Sequence, residues 1–96
     1  MPAYVISEVT ILDKEAVAAY KPLAKRSVEE FGGTYLARDA IPETLEGSFD
    51  EGERLVVIRF ETVDDARRWY ASASYAEAIK ASRGGLDRRL FIVDGL

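Results

Sequence analysis

Residues 54–61, Arg-Leu-Val-Val-Ile-Arg-Phe-Glu, constrain the fold more than any other segment, because they read as a strand with apolar residues on both faces. In an extended chain successive side chains point to opposite sides, so Leu55 and Val57 face one way while Val56, Ile58 and Phe60 face the other. A strand covered on one side alternates apolar with polar; one covered on both sides reads as a near-continuous apolar run. A chain of 96 residues can supply helices for one face of a small sheet and little more. The second face is therefore expected to meet another copy of the chain.

Length and composition fit that expectation. Domains commonly run to about 100–150 residues, so residues 1–96 are expected to form a single domain. At this size a monomer buries roughly 60–65% of its unfolded surface, and association would add stability. Apolar residues at 48% and charged residues at 31% describe a globular chain. A formal charge of −4 disfavours nucleic acid, which rewards a concentrated basic face. No apolar run approaches the ~20 residues that span a bilayer, so no membrane partner is expected. The opening Met1-Pro-Ala-Tyr-Val-Ile-Ser-Glu8 lacks a cationic segment before its apolar residues, unlike a signal peptide. A cytoplasmic location is the expectation, and the absence of cysteine agrees with it.

The missing residue types narrow the chemistry further. There is no His, Cys, Asn or Gln. Thiol nucleophiles, imidazole acid–base chemistry, His- or Cys-held zinc and haem held by either residue are thereby removed. No cofactor and no metal are expected, and any chemistry must use Arg, Lys, Asp, Glu, Tyr, Ser, Thr or backbone groups.

Along the chain, Ala3 to Ile11 alternates as a strand, with Val5, Val9 and Ile11 on one face and Tyr4, Ile6 and Glu8 on the other. Asp13 stands where an N-cap belongs and Glu15 favours the first turn of the helix that follows. Val17, Tyr20, Leu23 or Ala24, Val28 and Phe31 recur at helical spacing until Gly32-Gly33. Pro22 lies inside this pattern and is expected to kink the helix or split it near Tyr20. Thr34 to Asp39 is a short strand, and Ala40 to Glu53, with Pro42 and five acidic residues, is the longest loop. After the strand at 54–61, Thr62 with Asp65 resembles a capping box, and Ser74 with Glu77 repeats it, so the second helix is expected to restart at Ser74. Gly84-Gly85 stops it, and Arg88 to Asp94 is the last strand, with Leu90 and Ile92 opposite Phe91 and Val93. The order β-α-β-β-α-β is the ferredoxin-like α+β arrangement, an antiparallel sheet with two helices on one face. Two such sheets packed face to face would make a dimeric α+β barrel.

Several motifs then agree in order and spacing: Tyr4-Val-Ile-Ser-Glu-Val-Thr-Ile-Leu-Asp13 with Tyr20, Gly32-Gly33-Thr-Tyr-Leu-Ala-Arg38, Leu45-Glu46-Gly47, Arg54-Leu-Val-Val-Ile58, Trp69-Tyr-Ala-Ser72, Ser74-Tyr75, Arg83 and Asp94-Gly95. Together they resemble the family known as domain of unknown function 1330, a branch of the dimeric α+β barrel superfamily, over essentially the whole chain. The resemblance implies that fold and a homodimer, with no established activity. Related barrels include cofactor-free monooxygenases, lactone isomerases and haem enzymes, so fold restricts chemistry poorly. The family's third strand usually ends Glu-Phe-Pro; here Arg59-Phe60-Glu61 stands instead, a base where the family has an acid.

The candidate site residues each carry a functional and a structural reading. Arg38 and Glu46 could form a polar cluster at a pocket mouth that binds a carboxylate or enolate, or an ion pair that pins the long loop. Arg59 shares a face with Leu55 and Val57, and needs a partner such as Glu8 if it is not in solvent. Ser72, Ser74 and Tyr75 surround the helix restart, with Arg83 two turns on; Tyr75 and Arg83 could reach a ligand or partner chain, or form one packed face. Trp69 reads as core, with stacking on a ligand as the alternative. Tyr4, Tyr35 and Glu8, if they face one way, could line a pocket between sheet and helices with Glu8 as general base; Glu8 could equally be a satisfied interface carboxylate. Asp50-Glu-Gly-Glu53 lacks the spaced ligands of a calcium loop. No dinucleotide or phosphate loop is present, acylphosphatase-like chemistry lacks its Asn, and the sheet lacks the aromatics of an RNA platform. The expectation is a homodimer that binds a small, partly apolar or anionic molecule between sheet and helices, with cofactor-free acid–base chemistry as one use. The alternative is a non-catalytic dimeric accessory or interaction module.

Overall fold

The computed structural model describes all residues, Met1–Leu96. Its elements follow one another as β1 (Ala3–Ile11), α1 (Lys14–Glu30), β2 (Thr34–Ala40), β3 (Glu53–Phe60), α2 (Val63–Tyr70), α3 (Ala73–Ala81) and β4 (Leu86–Asp94). The four strands make one antiparallel sheet in the order β2-β3-β1-β4. This is the ferredoxin-like α+β fold, with the second helix divided in two. Cα extents of 32 × 32 × 15 Å describe a thin slab, one sheet and one helical layer.

Local chemistry accounts for most boundaries. Asp13 Oδ1 accepts from Glu15 N at 3.0 Å and caps α1, and Thr62 Oγ1 accepts from Asp65 N at 3.1 Å and caps α2. Gly32 takes φ +76° at the end of α1, a conformation that costs glycine nothing. Gly33 has a different reason: a Cβ there would stand 2.7 Å from the Phe60 ring and from Val28.

Two expectations are corrected. Of the two outcomes expected at Pro22, the split near Tyr20 does not occur: α1 is one helix from Lys14 to Glu30. One lost hydrogen bond is outweighed by a buried stripe of Val17, Ala24, Ser27 and Val28 on the sheet side. The α2–α3 break also falls two residues early: Ser72, and not Ser74, caps α3, accepting from Tyr75 N at 3.1 Å and donating to Trp69 O at 2.7 Å. Ser74 instead donates to Glu30 Oε2 at 2.9 Å.

The core lies between sheet and helices. Ala3, Val5, Ile58 and Phe60 meet Ala24, Val28, Ala66, Trp69, Tyr75 and Ala78 there, all at most 4% exposed. The opposite face has no helices. Its centre is apolar, with Ile6, Leu55 and Val57 half-buried and Phe91 and Val93 exposed at 42% and 43%. The two-sided reading of 54–61 is thus correct for this strand, down to which residue faces which side.

Candidate functional site

Above the helix-covered face lies a cleft that combines apolar walls with convergent charge. Its floor is the middle of the sheet, Ser7 and Val9 of β1 with Val56 and Ile58 of β3; Val17 and Tyr20 of α1, Trp69 and Tyr75 form the roof. The room for the centres of water molecules is about 50 Å³, and the whole empty volume, open solvent at the mouth included, is about 540 Å³. About 50 Å³ holds only a few waters, so a larger occupant needs the walls to part.

Two guanidiniums reach into the cleft from strands at opposite edges of the sheet. Arg88 of β4 donates from Nη1 to Tyr20 Oη at 2.8 Å and lies over the rings of Tyr20 and Tyr75, 5.3 and 5.6 Å from their centroids. Tyr20 Oη and Tyr75 Oη share a further hydrogen bond of 3.2 Å. Arg38 of β2 donates from Nη2 to Lys21 O at 2.8 Å and stacks 4.6 Å over the Tyr35 ring. Neither arginine forms an ion pair, whereas the neighbouring Lys21 pairs with Asp39. Asp39 is held at φ +52°, left-handed backbone that short polar residues tolerate best.

The phenols are donors and not bases. Burial pushes Tyr35 up to about 12, against the pull of Arg38. Burial raises Tyr75 further still, reinforced by the Tyr20 phenol beside it and opposed by Arg88. Both therefore stay protonated at neutral pH. Trp69, 1% exposed, is oriented by its indole N–H, which donates to Ser27 Oγ at 3.0 Å; Ser27 in turn donates to Ala24 O at 2.7 Å.

Of the residues singled out from sequence, Arg38 and Tyr75 come together here, and Tyr35 joins them. Others are elsewhere. Tyr4 and Glu8 lie on the open face, because Val5, Ser7 and Val9 take the helix side of β1. Tyr35 sits opposite the buried Ile58, on the other side of the sheet from them, so the proposed trio with Glu8 as base is corrected. Glu8 pairs instead with Arg89 at 3.8 Å across the open face. Arg59, also on that face, pairs with Glu61 at 3.2 Å and not with Glu8, which lies further along β1 than its neighbour Tyr4. Glu46 is exposed in the long loop and makes no ion pair with Arg38. Arg83 is exposed beyond the end of α3, and Ser72 acts as a cap that ties Trp69 to Tyr75. Arg88 was the residue sequence reasoning missed. Two-residue steps back from Ile92 and Leu90 put it on the apolar side of β4, and a cation there was the available signal.

Solved structures share this architecture at low identity. The RPA0582 protein of unknown function from Rhodopseudomonas palustris matches with a TM-score of 0.79 and 21% identity, covering 99% of this chain and 82% of that one. SnoaB, a cofactor-independent oxygenase from Streptomyces nogalater, matches with a TM-score of 0.59 and 14% identity, covering 99% and 93%. Rv0793 from Mycobacterium tuberculosis matches with a TM-score of 0.59 and 16% identity, covering 100% and 96%. At these identities the likeness establishes the fold alone. No curated protein matches the sequence. The family model for the domain of unknown function DUF1330 spans residues 2–96, and the chain belongs to that family.

Proposed function

We propose that the protein is a homodimer that binds a small, partly apolar anion in the cleft between sheet and helices. The observation that carries this is Arg88, a guanidinium set among apolar and aromatic walls with a phenol and no carboxylate for company. A half-buried cation without a counter-charge retains its attraction for one, and an anionic ligand would complete the set that Tyr20 begins. Tyr20 and Tyr75 would orient the anionic group through their hydroxyls, and Trp69 would bound the apolar part.

The resident side chains favour holding an anion over making one. Tyr35 and Tyr75 keep their protons, and Asp39 is engaged by Lys21. If the protein is an enzyme, its substrate arrives ionised or loses its proton readily once Arg88 stabilises the product oxyanion. SnoaB is a cofactor-independent oxygenase, and a substrate-carried anion is compatible with chemistry of that type.

The open face would be the dimer contact. Its apolar centre, Ile6, Leu55, Val57, Phe91 and Val93, resembles half of a sheet-on-sheet interior. A second reading, the non-catalytic dimer module, draws on the tightness of the cleft: water centres have only about 50 Å³ there, and no buried side-chain polar atom lacks a partner.

Native mass spectrometry of gently purified protein tests both parts. A dimer with the added mass of a small molecule, lost in Arg88→Met, supports the proposal. A bare dimer that takes up no small carboxylate in calorimetry favours the interaction module. A monomer overturns the open face as a dimer contact.

A further inference from the structure

The cleft has a second cation whose placement bears on the shape of the ligand. The inference rests on the anion-binding reading above and goes beyond it. Among the sixteen lining residues Lys21, Arg38 and Arg88 are cationic and only Asp39 is acidic, so the cleft carries an excess of two positive charges in a chain whose net charge is −4. Asp39 is taken up by Lys21, which leaves the two guanidiniums as the uncompensated pair. They come from opposite edges of the sheet: β2 and β4 flank β3 and β1, so their backbones stand about 14 Å apart at ordinary strand spacing. Between them the floor is apolar apart from Ser7, with Val9, Val56 and Ile58. Each guanidinium makes one hydrogen bond at its anchored end, Arg38 to Lys21 O and Arg88 to Tyr20 Oη, and retains free N–H groups.

A site with a cation at each end and an apolar floor selects a molecule built the same way. We propose that the ligand is a compact dianion, a flat apolar or conjugated core with a carboxylate-type group at each end, one held by Arg88 with Tyr20 and the other by Arg38. Tyr35, Trp69 and Tyr75 line the space between the two arginines, so its walls are aromatic and suit a flat core once they part to admit it.

The test compares matched pairs in which a terminal methyl becomes a carboxylate: crotonate with fumarate, and p-toluate with terephthalate. Calorimetry of the full chain at low ionic strength should show the dianion of at least one pair binding roughly tenfold or more tightly than its monoanion, the worth of one charge-assisted hydrogen-bonded contact. In Arg38→Met, checked for folding by circular dichroism, that advantage should fall to near unity. In Arg88→Met both members of the pair should weaken. Equal affinity within both pairs, or a dianion advantage that survives in Arg38→Met, overturns the two-ended ligand and leaves the anion-binding reading standing. Failure of all four probes to bind overturns both.

Discussion

On the helix-covered face of the sheet Arg38 and Arg88 stand without carboxylates, whereas on the open face Glu8 faces Arg89 and Arg59 faces Glu61. The two faces are built from the same strands and alternate residue by residue. The open-face pairs lie in or near water, where an ion pair contributes little and a loose partner is enough. The covered face is narrow and aromatic, and its cations are held by a carbonyl, a hydroxyl and aromatic rings. The difference shows where charge is structural and where it is available. A pair that is already satisfied on the surface offers a ligand nothing, while a guanidinium held only by neutral groups retains its attraction for an anion.

The contrast can be broken most forcefully from the covered side. Trp69→Ala should cost about 3–5 kcal/mol, read as a fall in denaturant midpoint, because Trp69 touches Phe60, Tyr70 and Tyr75 at ring-centroid distances of 5.5, 6.2 and 4.2 Å. A loss below about 1 kcal/mol would show the roof of the cleft to be loosely packed. On the open face, Val57→Asp should leave the circular dichroism spectrum intact and convert the proposed dimer to monomer in native mass spectrometry, since a carboxylate in an apolar contact costs several kcal/mol. A dimer that persists would place the contact elsewhere.

Alkaline pH sharpens the comparison next. Tyr35 and Tyr75 keep their protons to higher pH in the folded protein than in the unfolded chain, where tyrosine titrates near about 10. Their contribution to stability is therefore complete below about pH 10; that of Tyr35 is lost as pH rises to about 12, its folded value, and that of Tyr75 goes on falling beyond it. Ultraviolet titration should show these tyrosines ionising last, and the denaturant midpoint should fall over the same window. Ionisation of all five tyrosines together near their ordinary value, with the fold intact, would deny the burial of the cleft. The smallest effect is expected at Arg59→Met, where an exposed pair with Glu61 is worth less than about 1 kcal/mol. A larger loss would mean that Arg59 meets something more than Glu61, such as a partner chain.

The covered and open faces were unequally legible in the sequence. Strict alternation in 3–11 and the double-sided run at 54–61 expose their own faces, since a strand's period is fixed by its geometry. Relating one strand's face to another's requires the register, and there the reading failed. Grouping Glu8 with Tyr35 assumes a register that puts both on one face, yet the pairing of Val5 and Tyr35 with Ile58 puts Tyr35 with the odd-numbered residues of β1 and leaves Glu8 behind the sheet. The shifts in pairing after Tyr35 and after Ala37 put the orientation of Arg38 beyond a simple alternation count. Arg88 differs, for its place beside Leu90 was countable from the sequence alone.

By itself the sequence determined the element order, two of the three helix N-caps, the apolar identity of both faces of β3 and the exclusion of thiol, imidazole and side-chain amide chemistry. Each of these follows from residue identity or from a period of two or 3.6 residues along one segment. Only the tertiary structure decided that Ser72 and not Ser74 caps α3, that Pro22 leaves α1 whole, and that Arg38 and Arg88, fifty positions apart in the chain, flank one apolar floor. Those outcomes depend on packing between elements. A burial stripe outweighs a lost hydrogen bond, and strand order brings the two edges of a sheet to bear on a single cleft.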